Sequence, residues 1–151
     1  LARRPRLLVL DEPTSGMDPV ARHEMLTEFM DVLRDDERSI LFSSHNTLDV
    51  ERISDRLCFI DRGHVVADDD TGSYLERWRR VQVRLPADAA LPALPHVVGC
   101  ERDGSFATLT VNDFSDAWLA RLTAPVQAVQ RMSLEEIFVA TVMHSREGAS
   151  A

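Results

Sequence analysis

The sequence contains no lysine, and its glycines are few and scattered. All 17 basic residues are arginine, and the six glycines stand at positions 16, 63, 72, 99, 104 and 148. A phosphate-binding loop of the form GxxxxGK[ST] needs closely spaced glycines and a lysine that reaches the distal phosphates of a nucleotide. The 151 residues therefore contain no such loop.

Cysteine, long apolar runs and excess positive charge are scarce as well. Cys58 and Cys100 lie in apolar stretches without metal-ligand spacing, which predicts reduced thiols in the core. No apolar run approaches the ~18 residues that a membrane-spanning helix requires, so we expect no membrane insertion. The net charge of −8 argues against nucleic acid as a partner.

A short apolar segment at residues 7–10 ends in two adjacent carboxylates. Four consecutive apolar residues predict a strand buried on both faces, as in the interior of a parallel sheet. Asp11 and Glu12 follow at the strand end, where open α/β sheets bind ligands. Because successive side chains point in different directions, one carboxylate can face a hydrated Mg²⁺ and the other an attacking water. The alternative is an acidic pair that merely ends the strand and caps the next helix.

The following segments predict a β-α-β unit. Residues 18–34 begin with the helix-start signal Asp-Pro and then carry apolar residues at helical spacing. Residues 39–43 form a second apolar strand, which such a crossover makes parallel to the first. If the strands are neighbours, His45 lies beside Glu12 and can contact a terminal phosphate. Alternatively, His45 only flanks a helix capped by Asn46 and is satisfied by the backbone.

The sequence changes in character beyond residue 70. A connecting helix is predicted within residues 71–80, then a small α+β region at residues 81–144 and a frayed tail at residues 145–151. The expected elements of this region are a strand at 81–85, a linker or helix at 86–95, a hairpin over 97–111 that turns at Asp103 and Gly104, a helix over 115–122, a strand at 125–130 and a helix that opens with a capping box at Ser133 and Glu136. Histidines 23, 64, 96 and 144 are isolated, and we expect them on the surface.

Three blocks of the sequence together resemble one family. Residues 7–19 (LLVLDEPTSGMDP) resemble the Walker B strand and D-loop of the ATP-binding cassette (ABC) ATPases. Residues 43–45 (SSH), with residues 50–57 after them, resemble the H-loop and the segment beyond it, and residues 61–67 resemble the closing hairpin. The resemblance spans about residues 1–70. It implies an α/β fold in which a partial P-loop NTPase core with parallel strands precedes the α+β accessory domain.

The resemblance implies a role for each matched residue. Asp11 would hold Mg²⁺ through water, Glu12 would act as general base toward the attacking water, and His45 would contact the γ-phosphate of ATP. The contact with a second nucleotide-binding domain, in a head-to-tail dimer, would come from the D-loop residues Ser15, Gly16 and Asp18.

The P-loop, the Gln-bearing loop and the signature motif of this family have no counterpart in the sequence. The resemblance therefore implies the C-terminal portion of a nucleotide-binding domain. We expect it to bind ATP poorly by itself, because Asp11 and Glu12 present negative charge to a polyanion. A core of two parallel strands would also expose faces that further strands normally cover. Residues 81–144, with the segment LEEIF at 134–138, resemble the C-terminal regions of drug- and polysaccharide-type bacterial exporter ATPases.

These resemblances predict an ATP-hydrolysing subunit of an ABC exporter, cytoplasmic and peripheral at the inner face of the membrane. Its partners would be a membrane-spanning permease subunit and a second nucleotide-binding domain, and it would use ATP and Mg²⁺ only when a P-loop half is supplied. One alternative is a non-enzymatic fragment that binds or blocks a full-length cassette ATPase. DNA-repair and chromosome-organising ATPases share the Walker B chemistry, but their long heptad arms have no match here.

Overall fold

The structure is a computed structural model that describes residues 5–86 and 94–148. The chain divides into two compact units, Leu1–Ser54 and Asp55–Ala151. The sequence resemblance extends further, to about residue 70, and the domain boundaries drawn from it stay a prediction. Most of the predicted linker, residues 87–93, lies outside the described residues.

The N-terminal unit has the predicted β-α-β order followed by a second helix. Its elements are β1 (Leu7–Asp11), α1 (Pro19–Leu33), β2 (Ser39–Ser43) and α2 (Thr47–Ile53). β1 and β2 pair in parallel, with a register that runs from Leu7 opposite Ser39 to Asp11 opposite Ser43. This pairing confirms that the two strands are neighbours and end at the same edge.

The helices of this unit cover one face of the β1–β2 sheet. Its core consists of the buried residues Leu26, Phe29 and Ile53 and the partly buried residues Leu10, Met25, Ile40 and Phe42. On the opposite face, Leu7, Val9 and Leu41 are 56%, 67% and 63% exposed; these three residues are the uncovered face. The prediction that β1 is buried on both sides is therefore wrong for this chain, because its side chains alternate and only one side meets helices.

The C-terminal unit combines a hairpin, a four-stranded sheet and helices. Its elements are β3 (Arg56–Asp61), β4 (His64–Asp70), α3 (Thr71–Arg77), β5 (Arg79–Arg84), β6 (Val97–Asp103), β7 (Phe106–Val111), α4 (Asp116–Leu119), β8 (Val126–Arg131) and α5 (Leu134–Gly148). β3 and β4 form an antiparallel hairpin, and the larger sheet has the order β6-β7-β5-β8 with all neighbours antiparallel. The predicted α+β character of this region is confirmed.

One face of the four-stranded sheet carries a core. Val81 of β5 and Leu109 and Val111 of β7 are at most 2% exposed on that face. Trp118 of α4 belongs to the same cluster, and its indole N–H donates to the backbone oxygen of Pro95 at 2.7 Å. The hydrogen bond satisfies the polar end of an otherwise buried indole.

Tight turns close both hairpins. Between β3 and β4, Arg62 and Gly63 both have positive φ, +50° and +80°, as a type I′ turn requires. Between β6 and β7, Asp103 pairs with Phe106, so the two-residue turn starts at Gly104 and not at Asp103 as predicted. Gly104 has φ +56°, which glycine adopts without a steric penalty.

The two cysteines are exposed, which overturns the prediction of core thiols. Cys58 stands in β3 between Leu57 and Phe59, and these two neighbours take the buried positions. Because successive strand residues face opposite ways, Cys58 faces outward. Cys100 of β6 is exposed as well. Apolar neighbours in the sequence therefore did not show whether the cysteine side chains lie on the buried or the exposed face of their strands.

α5 begins as predicted and ends later than predicted. The backbone N–H of Ser133 donates to Glu136 Oε2 at 2.8 Å, and the backbone N–H of Glu136 donates to Ser133 Oγ at 3.3 Å, which confirms the capping box. The helix continues to Gly148, whereas fraying was expected from residue 145. Arg146 accounts for the extra turn, since its guanidinium donates to both carboxylate oxygens of Asp61 at 2.7 and 2.9 Å.

Aromatic contacts hold α5 against the β3–β4 hairpin and α3. The ring of Phe59 meets that of Phe138 edge-on, with centroids 5.1 Å apart, and that of Tyr74 at 5.7 Å. The Tyr74 hydroxyl lies 2.9 Å from Thr141 Oγ1, and burial raises the pKa of this phenol. Edge-to-face pairs of this kind add stability beyond the buried area.

We expect the Arg146–Asp61 pair to stabilise the C-terminal unit in a pH-dependent way. The hydrogen bond from Arg146 lowers the pKa of the Asp61 carboxyl. When the pKa of a carboxyl is lower in the folded than in the unfolded state, ionisation of that carboxyl stabilises the fold. This stabilisation is fully present at pH values above the unfolded pKa, about 3.9, and is lost as the pH falls through the folded pKa. The free energies of unfolding of wild type and Arg146→Met should therefore differ at neutral pH and converge below about pH 4.

Denaturant unfolding followed by tryptophan fluorescence measures this difference, because both tryptophans, Trp78 and Trp118, lie in the C-terminal unit. Arg121→Met, which removes an exposed arginine elsewhere in the same unit, is the matched control. A gap between wild type and Arg146→Met that stays constant into strong acid would contradict the role of the ion pair.

Candidate functional site

The parallel register places the ends of β1 and β2 side by side. Asp11 is paired with Ser43, whose hydroxyl donates a hydrogen bond to Asp11 Oδ1. The backbone N–H of Glu12 donates to the backbone oxygen of Ser43 at 3.1 Å, which extends the pairing one residue past β1. Polar groups from two strands therefore meet at the carboxyl edge of the sheet, where α/β proteins bind ligands.

Glu12 and His45 are in direct contact at this edge, as the spacing predicts. The backbone N–H of His45 donates to Glu12 Oε1 at 2.9 Å, and the ring Nδ1 lies 2.8 Å from Glu12 Oε2. Glu12 has φ +47°, a left-handed conformation that costs of order 1 kcal/mol or more in a non-glycine residue. The two side chains remain 36% and 77% exposed, so a ligand can reach both.

A tight turn follows Glu12 and contains the predicted D-loop residues. The backbone N–H of Ser15 donates to the backbone oxygen of Glu12 at 3.1 Å. Gly16 has φ +73°, and no atom lies within 4 Å of the position that a Cβ would take. The backbone conformation, and not lack of space, therefore requires glycine. Ser15 and Gly16 are exposed, and their contact with a second domain stays a prediction.

Asp18 is engaged at the start of α1. Its Oδ1 accepts hydrogen bonds from the backbone N–H groups of Val20 and Ala21 at 2.9 and 3.1 Å. Pro19 takes the first helical position, where its missing N–H has no intrahelical partner to lose. The sequence prediction of a cap is confirmed, whereas the contact of Asp18 with another domain stays a prediction.

A buried carboxylate that the sequence analysis did not single out lies behind this turn. Asp49 of α2 is 1% exposed. Its Oδ2 accepts a hydrogen bond from Thr14 Oγ1 at 2.7 Å, and its Oδ1 accepts one from Arg22 Nε at 2.8 Å. We call Thr14, Arg22 and Asp49 the Asp49 cluster. A sequence signal existed, because Asp49 stands four residues before the buried Ile53 and so shares its helix face.

A shallow hollow of about 140 Å³ lies beside these residues. It is lined by Glu12, Thr14, Ser15, Gly16, Met17, Arg22, His45 and Asn46. Pockets that enclose drug-sized ligands have volumes of roughly 300–1,000 Å³. The hollow can therefore hold only part of a nucleotide-sized ligand.

The oxygen donors at the sheet edge fit a cation that keeps most of its water. Asp11 and Glu12 offer carboxylates and Ser43 a hydroxyl, which are ligands that Mg²⁺ accepts. Within residues 5–86 and 94–148, no three His, Cys, Asp or Glu side chains are grouped closely enough to hold a metal ion. Protein-bound Mg²⁺ commonly uses one or two carboxylates together with water and substrate phosphates. The residues therefore fit a water-mediated contact from Asp11 and do not form a protein cage.

The remaining histidines take no part in this site. His23, His64, His96 and His144 are exposed, as the sequence analysis expects. Among the described histidines, only His45 lines the hollow.

Sequence relatives identify the family. YtrB, an ABC transporter ATP-binding protein of Bacillus subtilis, is 29% identical over 143 residues, which are 92% of this chain and 49% of that protein. Nod factor export ATP-binding protein I of Neorhizobium galegae is 32% identical over 148 residues, 92% of this chain and 42% of that protein. The thiamine import ATP-binding protein ThiQ of Chelativorans is 40% identical over 75 residues, 50% of this chain and 30% of that protein. No family model matches the chain.

Among solved structures, a metal-chelate-type ABC transporter in an inward-facing conformation aligns with 74% of this chain and 41% of its own, at a TM-score of 0.43 and 16% identity. The family assignment rests on the sequence relatives and not on this likeness. The chain spans slightly less than half the length of YtrB and of the Nod factor export protein.

The chain belongs to the ATP-binding proteins of ABC transporters and contains a partial ATPase domain of that family. The Walker B, D-loop and H-loop resemblances thus fall in a chain whose relatives carry the same family name.

We expect the Asp18 cap to stabilise α1 through its hydrogen bonds and not through its charge alone. Asp18→Ala should lower the free energy of unfolding of the N-terminal unit by about 1 kcal/mol, because two N–H groups lose their acceptor. Asp18→Asn keeps an acceptor oxygen and should cost much less. Amide hydrogen exchange in the first turn of α1 measures both effects, and an equal loss from Asn and Ala would contradict this account.

Proposed function

We propose that the chain is the C-terminal part of the ATP-binding subunit of an ABC-type exporter, which energises transport through a separate membrane subunit. The observation that carries this proposal is the Glu12–His45 contact at the shared end of β1 and β2. The export direction is supported by the relatives described above. The relative named for Nod factor export aligns with 92% of the chain, so the likeness includes most of residues 81–144, where the resemblance to exporter ATPases lies.

In the proposed reaction, Glu12 is the general base and His45 contacts the terminal phosphate. A carboxylate can accept a hydrogen bond from the attacking water and so orient it for in-line displacement. The contact of His45 Nδ1 with Glu12 Oε2 orients the carboxylate and leaves Nε2 as the ring nitrogen for the phosphate. Asp11 would hold Mg²⁺ through water, and the bound cation would neutralise charge on the phosphates.

The exposed turn after Glu12 would supply the contact with a second nucleotide-binding domain. Ser15 and Gly16 are exposed there, and Asp18 follows at the start of α1. A membrane-spanning permease would be the other partner, so the subunit would work at the cytoplasmic face of the membrane. In the described residues, no helix combines the length and apolar character needed to span a bilayer.

A second candidate is a non-enzymatic fragment that binds a full-length cassette ATPase. The uncovered face is compatible with this candidate as well as with the first, because Leu7, Val9 and Leu41 are each more than half exposed on one side of the β1–β2 sheet. Contiguous apolar surface of this kind is typical of a site that another protein segment covers.

We expect the 151-residue chain to show no saturable binding of Mg·ATP in the micromolar range. The hollow is small, and the carboxylates of Asp11 and Glu12 repel a polyanion that no P-loop neutralises. Isothermal titration calorimetry with and without Mg²⁺ tests this expectation. Tight saturable binding would show that the nucleotide does not need a P-loop from another segment.

We expect hydrolysis of Mg·ATP to appear when the chain is joined to, or co-expressed with, a cassette segment that carries a P-loop and a signature motif. Glu12→Gln should then lower kcat about 100-fold or more with nucleotide binding retained, because an amide cannot act as the base. Glu28→Gln, which changes an exposed acid of α1, should leave kcat unchanged.

Phosphate release and nucleotide binding are measured in parallel on these proteins. Equal rates for wild type and Glu12→Gln would contradict the role of Glu12. The second candidate would be favoured by two results together: the chain binds stably to a full-length cassette ATPase, and neither the joined nor the co-expressed P-loop segment gives hydrolysis with it.

A further inference from the structure

The Asp49 cluster joins the turn after β1, helix α1 and helix α2 in the interior of the N-terminal unit. Thr14 lies in the turn and is 7% exposed, and Asp49 of α2 is 1% exposed. Arg22 of α1 approaches Asp49 Oδ1 with both Nε, at 2.8 Å, and a terminal nitrogen, at 2.7 Å. Three elements that are separated in sequence therefore meet at one carboxylate.

Each oxygen of the Asp49 carboxylate has its own partner. Oδ1 accepts from Arg22, and Oδ2 accepts from the hydroxyl of Thr14 at 2.7 Å. A buried carboxylate is tolerated when it is paired and hydrogen-bonded, and removal of one partner leaves the other group desolvated without compensation. The cluster therefore resists separation of its three elements.

The cluster stands between the two segments that carry the candidate catalytic residues. Thr14 is two residues after Glu12, and Asp49 is four residues after His45. Asp49 does not line the hollow, whereas Thr14 and Arg22 do. The side chain of Asp49 therefore reaches the site through these two partners.

We propose that Asp49 is a positioning residue that, through Thr14 and Arg22, sets the conformation of the D-loop turn and the distance between Glu12 and His45. This inference rests on the proposed function for its relevance to ATP hydrolysis, but its structural part concerns the chain alone. Removal of the Thr14 hydroxyl would loosen the turn at the point where it leaves β1, while β1 and β2 keep their ladder.

The first test is amide hydrogen exchange on the full chain, which needs no nucleotide. Thr14→Val removes the hydroxyl and keeps the side-chain shape, whereas Thr14→Ser keeps the hydroxyl. With Thr14→Val, we expect exchange of the Ser15 and His45 amides, which donate to Glu12, to accelerate about tenfold or more, the scale of one lost hydrogen bond to a charged group. Thr14→Ser should stay close to wild type.

The amides of the β1–β2 ladder distinguish positioning from a general loss of stability. They should keep their exchange rates in Thr14→Val if the role is local. Uniform acceleration of all amides, loss of folding, or no change at all in Thr14→Val would each overturn the proposal. Thr27→Val, which removes an exposed hydroxyl of α1 outside the cluster, is the matched control.

The second test uses the chain joined to a P-loop segment. Thr14→Val should lower kcat about tenfold with little change in the KM for ATP, and Thr14→Ser should restore it. If the wild-type chain joined to the P-loop segment does not hydrolyse ATP, the proposed function is contradicted. The exchange result would still be valid, because it is measured on the chain alone. A local exchange effect with unchanged kcat would overturn the link between the cluster and catalysis.

Discussion

The in-register pairing of β1 with β2 is the constraint on which the candidate site depends. Because Asp11 is opposite Ser43, the residues that follow each strand bring Glu12 and His45 into contact. A slip of one residue would turn every side chain of a strand to the other face. The packing that buries Leu10 against the helices therefore also fixes the register that assembles the polar edge. In this unit, core formation and site geometry are consequences of the same set of strand hydrogen bonds.

The candidate catalytic residues and the Asp49 cluster lie in different surroundings. The side chains of Glu12 and His45 are open to solvent, whereas Asp49 and Thr14 are almost entirely buried. Hydrogen bonds are electrostatically stronger away from water, and an unpaired polar group there is more costly. The exposed pair Glu12 and His45 thus lies next to a hydrogen-bonded cluster from which water is largely excluded.

Features with a local physical cause could be predicted from the sequence. The Asp18 cap, the capping box at Ser133 and the β-α-β order each follow from a short pattern, and the contact of Glu12 with His45 follows from the handedness and direction of the crossover. Features that depend on distant partners could not. The sequence does not tell which face of a short apolar strand meets a helix, so Cys58 was misplaced. The partners of Asp49 lie 27 and 35 residues away in the chain, beyond any local pattern.

The contacts between α5 and the β3–β4 hairpin also affect how the protein folds during its synthesis. Asp61 and Arg146 are 85 residues apart, and Phe59 meets Phe138 over a comparable stretch of chain. On a translating ribosome the hairpin emerges long before α5, and contacts of such high sequence separation form slowly. Its aromatic surface stays unprotected during that interval, when nascent chains are most prone to aggregate. The C-terminal unit therefore cannot be completed until α5 has been synthesised.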